Sequence, residues 1–118
     1  MKDSFTGTKS IRLQPESDAV PYTFTFPINS SATANDGAIP FADTITGSVV
    51  SAFSETGEDV TAEIVDSSSE TTTVVSVALN YPAVAGAGRY SLEFVLTLNS
   101  GAIMEFDFTR VYAEDVTA

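Results

Sequence analysis

Apolar and polar residues alternate with a period of two through most of the chain, the pattern of strands buried on one face. Thr8 to Leu13 sets Ile11 and Leu13 on one side with Arg12 between them. Tyr22-Thr23-Phe24-Thr25-Phe26 alternates strictly, with three aromatics facing one way and two threonines the other. Asp43 to Phe53 carries Ile45, Val49 and Val50, and Gly47 is placed where a bulge would fall. Asp59 to Val65 sets Val60, Ala62 and Ile64 against Thr61 and Glu63, and Glu70 to Leu79 keeps Val75, Val77 and Leu79 in phase. Tyr90 to Leu98 predicts an inward face of Tyr90, Leu92, Phe94, Leu96 and Leu98. Ala102 to Tyr112 does the same with Met104, Phe106 and Phe108. No window repeats an apolar residue at helical spacing for three turns.

The breaks between these runs have turn chemistry. Asn99-Ser100-Gly101 reads as a short hairpin connection. Ser54 to Glu58 reads as a turn in which Gly57 takes positive φ, and Asp66 to Ser69 as a polar connection. The longest break, Asn29 to Pro40, has Asn35-Asp36-Gly37 at its centre, a tripeptide suited to a positive-φ turn. Pro21 and Pro27 bracket the Tyr22–Phe26 run, and proline cannot donate to a ladder. The prediction is an all-β chain, a single antiparallel β-sandwich of about seven strands and immunoglobulin-like, with a small barrel as the competing architecture. The chain has no cysteine and no tryptophan, so it lacks the disulfide and core indole of antibody domains. Tyr90, opening the penultimate strand, is either a tyrosine-corner residue or a half-buried aromatic.

A chain of 118 residues supports one core. The expected division is a mobile arm over residues 1–9 and a sandwich over 10–118. No stretch approaches the roughly 20 apolar residues of a membrane-spanning helix. The first residues do not read as a secretory signal, so no membrane association is expected. With neither histidine nor cysteine, the commonest general base, the commonest metal ligand and the thiolate nucleophile are all missing. A serine–lysine dyad would have only Lys2 or Lys9, both in the arm. Glu93, Glu105 and Asp107 fall on outward faces of neighbouring strands, where acids normally form a solvated face and discourage sheet association. The sequence therefore predicts no enzyme.

Sixteen acids against five bases leave a net charge of −11, which argues against nucleic acid as a partner and for solubility. Asn35-Asp36-Gly37 and the group Glu55, Glu58 and Asp59 are the candidate calcium clusters, but neither has EF-hand spacing. Gly86-Ala87-Gly88 lacks the lysine of a phosphate loop. No cofactor and no metal are predicted. The remaining candidates are apolar residues on connections: Ile39 and Phe41 at the end of the long loop, and Tyr81, Pro82 and Val84 in an unusually apolar one. They either cap the ends of the core or anchor a neighbouring subunit.

Several runs resemble a known family. Pro15-Glu16-Ser17-Asp18-Ala19-Val20-Pro21 leading into Tyr22–Phe26 resembles the opening of small phage fibre–tail adaptor and related virion proteins. Asp43-Thr44-Ile45 resembles the start of their next strand, and Ala87-Gly88-Arg89-Tyr90-Ser91-Leu92 the entry to their penultimate one. Asn99-Ser100-Gly101 followed by Glu105-Phe106-Asp107-Phe108 resembles their final hairpin. The resemblance spans about residues 10 to 112, and departs in the long 29–40 connection and the absence of tryptophan. It implies a bacteriophage virion structural protein of tail, neck or fibre-adaptor type, in many symmetry-related copies, whose partners are other virion proteins. The alternatives are a capsid decoration protein and a carbohydrate- or calcium-binding surface module.

Overall fold

The period of two becomes strands wherever a second strand is available to satisfy the backbone. The structure, a computed structural model, describes residues 2–4, 11–15 and 19–114. In chain order the elements are β1 (Lys2–Ser4), β2 (Ile11–Leu13), β3 (Val20–Thr25), β4 (Ile45–Ser54), α1 (Thr61–Ile64), β5 (Val65–Glu70), β6 (Val74–Leu79), β7 (Gly88–Leu98) and β8 (Ile103–Ala113). Among the described residues eight strands thus stand where about seven were expected. One sheet runs β1-β8-β7-β4, with β2 also on β8, and the other runs β3-β6-β5. The two sheets pack face to face as an all-β sandwich. Pairing is antiparallel except at β1 and β2, which lie parallel to β8. Of the expected 1–9 arm, only residues 2–4 are described, and their backbone forms β1. The rest, with residues 115–118, lies outside the described residues.

The core is where the alternating faces meet. Tyr90, Leu92, Phe94, Leu96 and Leu98 of β7 are all buried, as their phase requires. Phe24 of the smaller sheet and Phe26 just after β3 interleave with Phe94, Phe106 and Phe108 from the larger. Ring centroids lie 4.7 Å apart for Phe24–Phe94, 5.4 Å for Phe24–Phe108 and 4.9 Å for Phe26–Phe106, all tilted or edge-on, as ring quadrupoles favour. Two bulges adjust the phase in the larger sheet. One falls between Ile45 and Gly47, the glycine marked for it, and one between Tyr90 and Leu92 opposite Thr109 and Arg110. The second lets Val111 and Ala113 re-enter the core on β8.

Pro21 sits inside β3, paired in register with Ala78. The Phe26 N–H donates to Thr73 O, so alternate residues Phe24 and Tyr22 bond to β6 while Thr25, Thr23 and Pro21 turn their backbone groups to the free edge. The donor that proline lacks is therefore one the ladder does not need.

Three expectations are corrected. Asp59–Val65 is not a strand: a bridge joins Phe53 to Asp59, and residues 61–64 form a single helical turn. Val60 and Ile64 are buried and Ala62 is exposed; positions four apart share a face in a helix as well as in a strand. Asp59 helps fix the choice by accepting from the Thr61 N–H and hydroxyl, at 2.9 and 2.7 Å. The polar run Asp66–Ser69 is not a connection but part of β5, whose backbone pairs with β6 whatever its side chains are. Glu70–Leu79 is accordingly broken by a turn at residues 71–73.

Tyr90 resolves as a tyrosine corner. It is buried, and its hydroxyl donates to Gly86 O at 2.6 Å. Gly86 holds φ at 78°, and its own N–H donates to Pro82 O. Burial first, then the charge of Glu63, pushes the Tyr90 hydroxyl pKa above its ordinary value. Among the described residues, no helix is long and apolar enough to cross a membrane.

Candidate interaction surface

The long connection after β3 is folded back on itself by its own polar residues. Pro27 O accepts from Ala38 N and Ile39 N, Asn29 N donates to Ile39 O, and the Asn29 side-chain oxygen accepts from Gly37 N at 2.6 Å. Asp36 takes both the Ser30 N–H and its hydroxyl, which holds its carboxyl below the usual carboxylate range. Gly37 is required for closeness and not for positive φ, in contrast to the sequence reading. It lies outside the left-handed region, and a Cβ there would overlap Pro27 O and come within 2.7 Å of Ile28 C.

Folding the loop back in this way buries Ile39 completely. Of the two roles open to it, Ile39 therefore takes the core cap and is not an exposed contact residue. Phe41, two residues on, is 51% exposed. The backbone around it is braced. Ala42 takes φ 65°, a conformation that costs a non-glycine residue about 1–2 kcal/mol. Asp43, itself buried, accepts from Thr44 N, Ser100 N and the Ser100 hydroxyl. Asn99 N donates to Thr44 O. The long loop is thus latched to the β7–β8 hairpin, and Phe41 projects beside the latch.

The Ser100 hydroxyl, aided by the backbone donors, holds the Asp43 pKa below its ordinary value of 3.8. A depressed folded-state pKa adds stability that is complete above the unfolded value and is lost as pH falls through the folded one. Wild type is expected to lose stability below about pH 4 more steeply than Asp43→Asn, whose side chain does not titrate. Thermal melts from pH 6 down to pH 2 measure this, and parallel curves for the two proteins would refute the latch.

The second apolar loop lies at the opposite end of the sandwich. Pro82 is buried and Tyr81 half-buried, so exposure fails for the first and is partial for the second. Val84 is 88% exposed, and one carboxylate oxygen of Glu63 accepts from both Val84 N and Ala85 N at 2.9 Å. The five residues singled out from sequence therefore do not share one surface: Phe41 stands at one end, Val84 at the other.

Three further exposed aliphatics were not among the contact candidates: Val20 on β3, and two on the larger sheet. Val49 is 61% and Ile103 67% exposed on the outward face of the larger sheet. Val49 pairs in register with the half-buried Val95, and Ile103 with Thr97 one step along β7. Ile103 leaves the hairpin that Asp43 holds, so it shares an end of the sandwich with Phe41. The signal was in the sequence: Val49-Val50 and Ile103-Met104 are adjacent apolar pairs, and in a strand one member of each must face out.

Glu93 lies directly opposite Asp107 in register, with Glu105 one row further on beside Val95. Phe53, Ser91, Glu93, Asp107 and Thr109 line an open depression of about 360 Å³. Of the calcium candidates, Asp36 is engaged by Ser30 and Asp59 by Thr61. Among the described residues, no three acids gather to hold a metal ion. No family model, curated protein or solved structure matches this chain.

Proposed function

We propose that this protein is a structural subunit of a multi-copy particle, of the phage-virion kind that its sequence resembles, acting through protein–protein contacts. The observation that carries the reading is Phe41: a large aromatic held out on a loop braced by the Asp43–Ser100 latch and the strained Ala42. Strain of this kind is retained where the presented group is used. Val84, pinned outward by Glu63, repeats the arrangement at the far end. Two exposed, rigidly held apolar groups at opposite ends suit a subunit that touches neighbours on both sides.

The strand order supports an immunoglobulin-like fold for that subunit. β3-β6-β5 against β8-β7-β4 corresponds to strands B-E-D against G-F-C of the immunoglobulin sandwich, and Tyr90 occupies the tyrosine-corner position of strand F.

The test is solution mass by light scattering over a concentration series. Wild type is expected to form a discrete oligomer. Phe41→Ser and Val84→Ser should each weaken it about tenfold, the cost of truncating one buried apolar anchor, with unchanged melting points. A wild-type monomer at every concentration, or variants that assemble undiminished, would remove the reading.

A further inference from the structure

The charges of this chain are segregated by its topology. Among the described residues every base lies on β1, β2, β7 or β8: Lys2, Arg12, Arg89 and Arg110. β3 to β6, α1 and their connections hold none. The sequence contains no lysine or arginine between Arg12 and Arg89, and the fold brings those two residues together. Arg12 on β2 and Arg89 on β7 are both in register with Tyr112 on β8, one from each side. Neighbouring strands are about 4.8 Å apart, so the two arginines flank Tyr112 with backbones about 10 Å from each other. All three point outward, because Leu13, Tyr90, Val111 and Ala113 beside them are buried. Arg110 joins them, exposed in the β8 bulge. The Arg89 side chain bonds to a backbone carbonyl, Thr109 O, at 3.3 Å, not to a carboxylate.

The opposite flank carries only acids. Glu58, Asp59, Glu63, Asp66 and Glu70 run along the turn, α1 and β5 with no base among them. Three are fixed in place: Asp59 by Thr61, Glu63 by the Val84 and Ala85 amides, Glu70 by the Ser48 hydroxyl. This flank adjoins β4, as the Ser48–Glu70 bond requires. β2 lies at the far edge of the same sheet, where Arg12 and Leu13 share a cleft with Val20 and Tyr22 of β3. Arg12, at that far edge, and the acids therefore face in opposite lateral directions, whereas Arg89 on β7 stands nearer β4 and lines a depression with Glu55.

We infer that copies of this chain associate side by side, with the Arg12 and Arg110 flank of one against the Glu58–Glu70 flank of the next. Charge complementarity names a second copy as the occupant: the rest of a chain of net charge −11 repels itself, and this pairing is the one that attracts. The contact is heterologous, because two different patches meet, so repetition closes a ring or extends a tube. The inference rests on the multi-copy reading proposed above and adds which flanks meet.

Charge reversal in two complementary variants tests it. Arg12→Glu with Arg110→Glu should remain monomeric, as should Glu58→Lys with Asp66→Lys, while an equimolar mixture of the two associates. All four positions are exposed, so melting points should not move. Wild-type association should weaken about tenfold or more between about 50 and 300 mM salt, since such charges are screened beyond a Debye length. Either variant assembling like wild type, or a mixture that stays monomeric, overturns the inference. So does wild type that binds heparin through these arginines and does not self-associate. Assembly that ignores salt and is lost in Phe41→Ser but kept in Arg12→Glu with Arg110→Glu sinks the flank contact alone and leaves the proposed function standing.

Discussion

Replacing Phe94 by alanine is expected to cost about 3–5 kcal/mol, the range for deleting a fully buried phenylalanine. Phe94 has no exposed surface, and its ring lies 4.7 Å from Phe24 and 5.7 Å from Phe26. It is the point where the larger sheet contacts the smaller one through two aromatics at once. Backbone pairing to β4 and β8 on both sides leaves β7 little freedom to collapse into the void, which places the loss at the upper end of the range. A domain of this size has about 5–15 kcal/mol in all, so the variant sits near its unfolding threshold. Urea denaturation followed by far-ultraviolet circular dichroism measures the loss. A value below about 1 kcal/mol would show that the sheets are not joined through this ring.

Gly37→Ala should destabilise by about 2–3 kcal/mol, as overpacking does where the obstacle cannot move. The added methyl would meet the Pro27 carbonyl oxygen, Ile28 C at 2.7 Å and Asn29 N at 2.9 Å, all backbone. The fold can relieve this only by parting the loop from the end of β3. That breaks the Gly37–Asn29 bond and the paired bonds to Pro27 O, and loosens Ile39 from the core. Amide exchange at Ala38 and Ile39 should therefore accelerate along with the drop in melting point. Gly57→Ala is the control. Its φ of 90° strains alanine, but its methyl would meet nothing, so protection at Ala38 and Ile39 should stay as in wild type. Equal behaviour of the two variants would refute the close-approach role of Gly37.

The elements most legible in the sequence were those whose side-chain phase and backbone pairing agree. β7 and the start of β8 are buried on the face the alternation marks, and Gly47 and Gly101 fall where a bulge and a hairpin turn were expected. Legibility failed where one pattern suits two conformations. Val60 and Ile64 fit a helical turn and a strand equally, and local bonds, among them the Asp59 carboxylate on Thr61, separate them. It failed again where pairing overrides composition: Ser67, Ser68 and Ser69 carry no strand signal, yet β6 supplies their partners. Among the contact candidates, which could cap the core or stand exposed, Phe41 and Val84 lie on the surface, while Ile39 and Pro82 went inward because polar bonds close the loops over them.

By itself the sequence determined the all-β class, the inward residues of most strands, and an overall charge and residue set that leave no histidine or thiol chemistry. These depend on local periodicity and composition, which are complete in one dimension. Only the tertiary structure decided the tyrosine-corner bond of Tyr90, the Asp43–Ser100 latch that holds Phe41 out, and the gathering of Arg12, Arg89 and Arg110 around Tyr112. Asp43 and Ser100, like Arg12 and Arg89, are far apart along the chain. Their meeting depends on which strands share a sheet and in what register, and non-local pairing sets both.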